Sequence, residues 1–423
     1  MKIVNGTIID PVNNMMYAQD LEFGNDSQVI DAAGCLIAPG MIDTHSHFRD
    51  PGFTHKEDIL TGSMAAKAGG YTQIVLMANT NPKVDNLETL AYVLNKGSVE
   101  NTGIKINTCA NVTMNMEGRM LTNMRLLAEN GAVGFTDDGV PLLDSDVCLS
   151  AMRECTLLSL PISFHEENPK FIENNGVNAG AASAYFNIKG SPREAETDLI
   201  KRDIELMIQC RDQMRLNGEI PANHPGPCVV IQHISTKEGV ELVRRAKADG
   251  LDIHAEATPH HFSLTEEAVI EKGTLAKMNP PLRTEEDRMA IIEGLKDGTI
   301  DIIATDHAPH STEEKSKPLT QAPSGIIGLE TALSLAIREL VQPGFLTYPQ
   351  LFNRISTSPA HLYGLKGGTV NMLNPDLVVF NPSESRKVEK FFSKSSNSPF
   401  TGEILPGVIK YTICNGKVVY QNI

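Results

Sequence analysis

The chain has 423 residues, 41% of them hydrophobic, enough to bury one large barrel with an appended domain or two to three smaller domains. Lysine and arginine number 37 against 52 aspartates and glutamates, a net charge of −15 with histidine neutral. That surplus argues against general binding to nucleic acid or an anionic membrane, and the absence of tryptophan with 5% aromatic residues argues against a base-stacking groove. A small anion held in a local pocket stays open.

The chain starts MKIVNGTIIDPVNN, without an apolar stretch or a small-residue cleavage site, so it does not read as a secretory signal. No run of about 18 apolar residues marks a membrane span. The seven cysteines are odd in number, scattered and without a CxxC pair, which reads as reduced thiols in a cytoplasmic protein.

Residues 2–9 are β-like, with Asn5-Gly6 as a turn signal. Eight further β-rich runs follow, at 36–42, 72–77, 104–110, 132–136, 161–164, 229–231, 251–255 and 300–304. Between them lie helical patterns, such as 55–67, 144–158 and the long 194–216. Eight βα units in series predict an α/β fold, a closed parallel (β/α)8 barrel of the TIM type. Residues 369–380 and 408–420 are β-like again, with a second turn at Asn415-Gly416. Both ends lack helical periodicity, so a small β-sandwich made from 1–38 and 368–423 is expected beside a barrel of 39–367. The polar segment 310–324, after the last barrel run, reads as a long mobile loop of the kind that carries function.

In a barrel the site lies at the C-terminal ends of the strands. The first run leads into Asp43-Thr44-His45-Ser46-His47, where histidines at i and i+2 face the same way. Later runs end in Asp137-Asp138, His165-Glu166, His233 and Asp306-His307. Nitrogen and oxygen ligands together suit zinc, with manganese or iron as alternatives. Six such ligands exceed one tetrahedral ion and suit two ions sharing a bridge, for which one of Asp137 and Asp138 is enough. His260-His261 are discounted because adjacent side chains diverge, and His307 is expected to face away from the metals.

The stretch from Asp43 to Gly52 (DTHSHFRDPG), with Ala304-Thr305-Asp306-His307-Ala308-Pro309-His310 and Lys315, resembles the two signatures of dihydroorotases in the amidohydrolase superfamily. Asn79-Thr80-Asn81-Pro82, Asn279 to Arg283 and Pro323-Ser324-Gly325 match as well. The resemblance implies a barrel-plus-sandwich dihydroorotase of the aspartate-bridged group. It makes His45 and His47 ligands of a first metal, Asp138 the bridge, and His165 and His233 ligands of a second. Asp306 becomes the remaining ligand and the catalytic acid/base. The spacing to His165 favours Asp138 over Asp137. Many relatives use a carboxylated lysine here, and none lies between Gly131 and Gly139. Ser46 departs from the usual aliphatic residue and is expected to point away from the metals.

The implied reaction is the reversible cyclisation of N-carbamoyl-L-aspartate to L-dihydroorotate and water in pyrimidine biosynthesis. Two Zn2+ per subunit activate water and polarise the carbonyl, and Asp306 shuttles the proton. His47, Arg49, Asn79, Asn279, His310, Ser324 and Gly325 match substrate contacts, and Arg49 offers a planar fork to the substrate carboxylate. The 310–324 loop is expected to close on the substrate. A homodimer and an association with aspartate carbamoyltransferase are expected partnerships. The alternatives are another cyclic amidohydrolase, acting on hydantoins or allantoin, and a non-catalytic partner of aspartate carbamoyltransferase.

Overall fold

The computed structural model describes residues 1–24, 27–371, 373 and 375–422; the expected sandwich residues 25, 26, 372, 374 and 423 lie outside it. The N-terminal segment forms β1 (Lys2–Val4), β2 (Thr7–Asp10), β3 (Met15–Ala18), β4 (Leu21–Glu22), β5 (Val29–Asp31) and β6 (Leu36–Pro39). Then come β7 (Met41–Ser46), β8 (Tyr71–Leu76), β9 (Lys105–Ala110), β10 (Ala132–Phe135), β11 (Ile162–Phe164), β12 (Val229–Ile231), β13 (Ile253–Ala257) and β14 (Ile302–Ile303). The chain ends in β15 (Leu377–Lys387), β16 (Ile404–Cys414) and β17 (Lys417–Gln421).

Strands β7 to β14 form one eight-stranded sheet in sequence order, every neighbouring pair parallel. A parallel bridge between Ser46 and His307, with the His47 N–H donating to the His307 carbonyl at 2.9 Å, nearly closes it into a barrel. The strands are buried runs because helices cover their outer side. The helix Glu194–Leu216 places Ile200, Leu206, Met207, Cys210 and Met214 in that core. The helix Glu285–Asp297 is fixed at its start by the Thr284–Asp287 capping box and stopped by Gly298 at φ 88°. Inside the barrel, Val75, Met77, Cys109, Ile302, Ala304 and Tyr363 form a separate apolar cluster.

The termini build a second body. Strand β1 pairs with β4 and β5 in a three-stranded sheet, and a six-stranded sheet runs β17-β16-β15-β6-β2-β3. Met1, Ile3, Leu21 and Ile30 from the first meet Ile8, Ile37, Leu377, Val379 and Ile413 from the second in one core. The Asn5-Gly6 turn therefore does not join a hairpin: it passes the chain from one sheet to the other. The six-stranded sheet draws on both termini, the three-stranded sheet on the N-terminal segment alone. Asn415-Gly416 does make a hairpin, with φ of 49° and 73° as a tight primed turn requires.

Three expected boundaries change. The run 36–42 is two strands, β6 in the sandwich and β7 in the barrel. They part at Gly40, where a Cβ would stand 2.3 Å from the Thr72 side chain. The helix expected at 55–67 starts at Ile59, where Asp58 accepts from the N–H groups of Leu60 and Thr61. The 310–324 segment is not an open loop: it holds a helical turn, Thr312–Lys315, capped by Ser311 and Glu314. Among the described residues no helix is long and apolar enough to cross a membrane.

Candidate metal and substrate site

The end of β7 sets the site. His45 and His47 project to one side, while the Ser46 hydroxyl turns away and donates to Asp43, which also accepts from the Thr305 N–H at 2.8 Å. The chain turns sharply at three site positions, with φ of 57° at Arg49, 30° at His233 and 46° at Asp306. Side chains other than glycine rarely hold that backbone, and its cost is accepted where a side chain must be aimed.

Four imidazoles and two carboxylates converge. His45 Nε2 lies 3.3 Å from Asp138 and 3.6 Å from Asp306. His47 Nε2 lies 3.0 Å from Asp306 and 3.5 Å from Asp138. His165 Nδ1 is 3.0 Å from His233 Nε2 and 3.7 Å from Asp138. The outer nitrogens are claimed from behind. His45 Nδ1 donates to Glu256 at 3.0 Å, His47 Nδ1 to the Asn79 side-chain oxygen at 3.1 Å, and His165 Nε2 to Glu167 at 3.2 Å. Each ring thereby has one nitrogen directed into the cluster, as metal-binding histidines do.

The charges follow from this crowding. Burial would push His45 down, yet Asp138 and Glu256 outweigh it and hold the imidazole well above its usual range. Burial would raise Asp138, but His45, His165 and His47 hold it well below. Asp306 is lowered in the same way against its burial, by His47 and His45. His233 is pushed well below its ordinary value by burial and by the neighbouring rings of His165 and His45, and stays neutral.

The donor set fits a divalent metal. His45, Asp138 and His233 offer ligand atoms within 4.8 Å of one another, and so do His45, His47 and Asp306. The buried His45 Nε2, directed into the cluster, has no hydrogen-bond partner, a costly arrangement unless a ligand takes it.

Above the cluster opens a cavity of about 310 Å³. Every site residue singled out in the sequence lines it except His45, which lies buried beside Asp138 and Asp306. Arg49 Nε donates to the Pro309 carbonyl at 3.3 Å, which fixes the guanidinium at the mouth. Asn79 bonds Asp138 at 2.9 Å as well as His47, so it ties two members of the cluster together. Asn279 Oδ1 and Ser324 Oγ are buried without a partner. His310 Nε2 donates to the Ser324 carbonyl at 2.9 Å, and burial with Arg49 close by keeps its ring neutral.

The discounted residues behave as follows. His307 accepts from the Gly328 N–H and sits 3.5 Å from Glu57, away from the cluster. Asp137 accepts from the N–H groups of Val112 and Thr113 and is structural. The rings of His260 and His261 do not diverge: their centroids are 4.5 Å apart, and His261 is tied to Thr258 and Pro280. Glu256, Glu167 and Asn175 were missed. A glutamate inside the apolar strand β13 was a readable signal for the first; nothing in the sequence flagged the others.

Comparison with known proteins agrees in fold and in family. The dihydro-orotase-like family profile matches residues 34–211. The chain is 46% identical to a dihydroorotase of Clostridium acetobutylicum over 437 residues, and 47% identical to one of Clostridioides difficile over 434, with 99% of each chain covered. In architecture it is similar to the L-hydantoinase of Arthrobacter aurescens, with a TM-score of 0.85 and 23% identity over 99% of this chain and 96% of that one.

Proposed function

This chain belongs to the dihydroorotase family, and we propose that its dihydroorotase activity is carried by Asp306 as proton carrier among ligands for two zinc ions. His45, His47, Asp138, His165, His233 and Asp306 would hold them, with Asp138 shared. Bound zinc supplies Lewis acidity, lowering the pKa of water and polarising a carbonyl oxygen.

The chain's own groups do the rest. Asp306, kept ionised by His47 and His45, accepts the proton of the attacking water and delivers it to the leaving ring nitrogen. Ring closure, which yields L-dihydroorotate from N-carbamoyl-L-aspartate, uses the same carboxyl in reverse. Arg49 pairs with the substrate carboxylate at the mouth, and Asn79 and His310 support it there. Asn279 Oδ1 and Ser324 Oγ, both lacking a partner, are free to meet ring amide groups. Asn79 and Glu256 hold the histidines in one orientation, so the site does not reorganise as the proton moves.

The observation that carries this reading is Asp138 within 3.3–3.7 Å of His45, His47 and His165, where the two oxygens of one carboxylate could be shared by two ions. The test is to mix zinc-replete protein with N-carbamoyl-L-aspartate at mildly acidic pH, follow dihydroorotate, and count zinc. Dihydroorotate formation with about two zinc ions per chain is expected. Hydantoin hydrolysis with dihydroorotate inert would overturn the reading.

A further inference from the structure

Lys277 and Lys315 take no part in the chemistry above, yet they are 2% and 5% exposed. Among the described residues neither ammonium forms an ion pair within 4.0 Å. A buried cation without an anion is costly and persists only where its donors are fully used. Burial pushes Lys277 down to about 8, and burial with Lys277 nearby pushes Lys315 down to about 7.

Their donors converge on one short segment. Lys277 Nζ donates to the carbonyls of Leu319 and Ala322 at 2.8 and 2.7 Å. Lys315 Nζ donates to those of Pro323 and Gly325, both at 3.0 Å. The Lys277 carbonyl accepts from the Gly325 N–H at 2.9 Å, and Asn397 Nδ2 reaches the Gly325 carbonyl at 3.2 Å. The other face of this segment, Pro323-Ser324-Gly325, is wall of the catalytic cavity. In a trans peptide the C=O and the following N–H point opposite ways. Holding the Pro323 carbonyl from behind therefore turns the Ser324 N–H away from Lys315. The bond from Lys315 also polarises that peptide and strengthens its N–H as a donor.

We propose that Lys277 and Lys315 are positioning residues: two buried lysine side chains grip the carbonyls of 319–325 from behind and preset the Ser324 N–H as a rigid donor toward the substrate ring. The wall is built before substrate arrives, so binding does not have to order it. This role rests on the dihydroorotase reading of the cavity.

The test compares zinc-replete wild type with Lys277→Met, Lys315→Met and Lys315→Ala, each checked for fold by melting and for zinc by metal analysis. The expected result is a KM for dihydroorotate raised roughly tenfold or more, with kcat within about threefold and zinc unchanged. Binding of orotate, an unreactive planar ring with the same carboxylate, should weaken in parallel. Propylammonium, the fragment that Lys315→Ala lacks, should lower KM again, while 1-propanol should not. If the methionine variants do not fold, Lys315→Gln, which keeps two N–H donors without charge, should still raise KM by about threefold. An unchanged KM in the folded variants, or a fall confined to kcat and zinc, would overturn the proposal. Wild type inert toward dihydroorotate would instead overturn the function on which it rests.

Discussion

At the C-terminal end of the barrel, His45, His47, His165 and His233 meet Asp138 and Asp306; at the N-terminal end, His254 meets Asp252, Asp301 and Cys228. Both clusters combine imidazole with carboxylate, and the second offers ligand atoms of Cys228, Asp252 and His254 as close together as the first. Yet His254 donates from both ring nitrogens, to Asp252 at 3.1 Å and to Asp301 at 3.2 Å, and Lys247 completes Asp301 at 2.6 Å. Among the described residues, buried atoms without partners occur at His45 and His233 and not in the His254 cluster. A satisfied cluster stabilises the fold, whereas an unsatisfied one keeps its capacity for a ligand.

The sharpest way to break this comparison is at Asp306. Asp306→Asn should lower turnover by about a thousandfold, with zinc largely retained and melting temperature little changed. Near-normal kcat would remove Asp306 from the acid/base role. Arg49→Gln should raise KM for dihydroorotate by about tenfold to a hundredfold, with a smaller change in kcat; steady-state kinetics separates the two, and an unchanged KM would contradict the carboxylate contact. At the opposite end the signature should invert. His254→Gln should leave kcat and KM alone and lower unfolding free energy by about 1–2 kcal/mol near pH 7, read from denaturant melts.

That last effect has a pH window. Burial would lower His254, but the bonds to Asp252 and Asp301 outweigh it and raise it to about 11. A histidine with a raised folded value gives its full stabilisation below its ordinary value, about 6.5. The gap between wild type and His254→Gln should therefore be widest below pH 6.5, shrink as pH rises, and vanish above 11. A gap that grows with pH would show that His254 is not the charged partner in the pair.

Much of the site was legible because its histidines and aspartates sit in short motifs at strand ends. The histidines of Asp43-Thr44-His45-Ser46-His47 share a face by simple alternation, and Asp306 closes another strand end. The fold was legible for a similar reason: eight apolar runs separated by helical patterns admit few arrangements. Where the reading failed, the cause was distance. The run 36–42 looks like one strand, but Gly40 lets the chain leave the sandwich sheet and enter the barrel, a change periodicity cannot register. The 310–324 segment looked mobile because it is polar, yet Lys277 reaches into it from a distant part of the chain.

By itself, then, the sequence determined the kinds of residue that meet in the cluster, their order on the strands and the family, because local alternation and motif chemistry need no partner. The tertiary structure alone decided which nitrogen each histidine presents. Glu256 lies 211 residues from His45 along the chain, yet takes its Nδ1 and leaves Nε2 for the cluster. It also decided that the cavity wall at 323–325 is held from behind by Lys277 and Lys315. Both outcomes come from satisfying buried polar groups across the barrel, and only the closed barrel brings those groups within a hydrogen bond of one another.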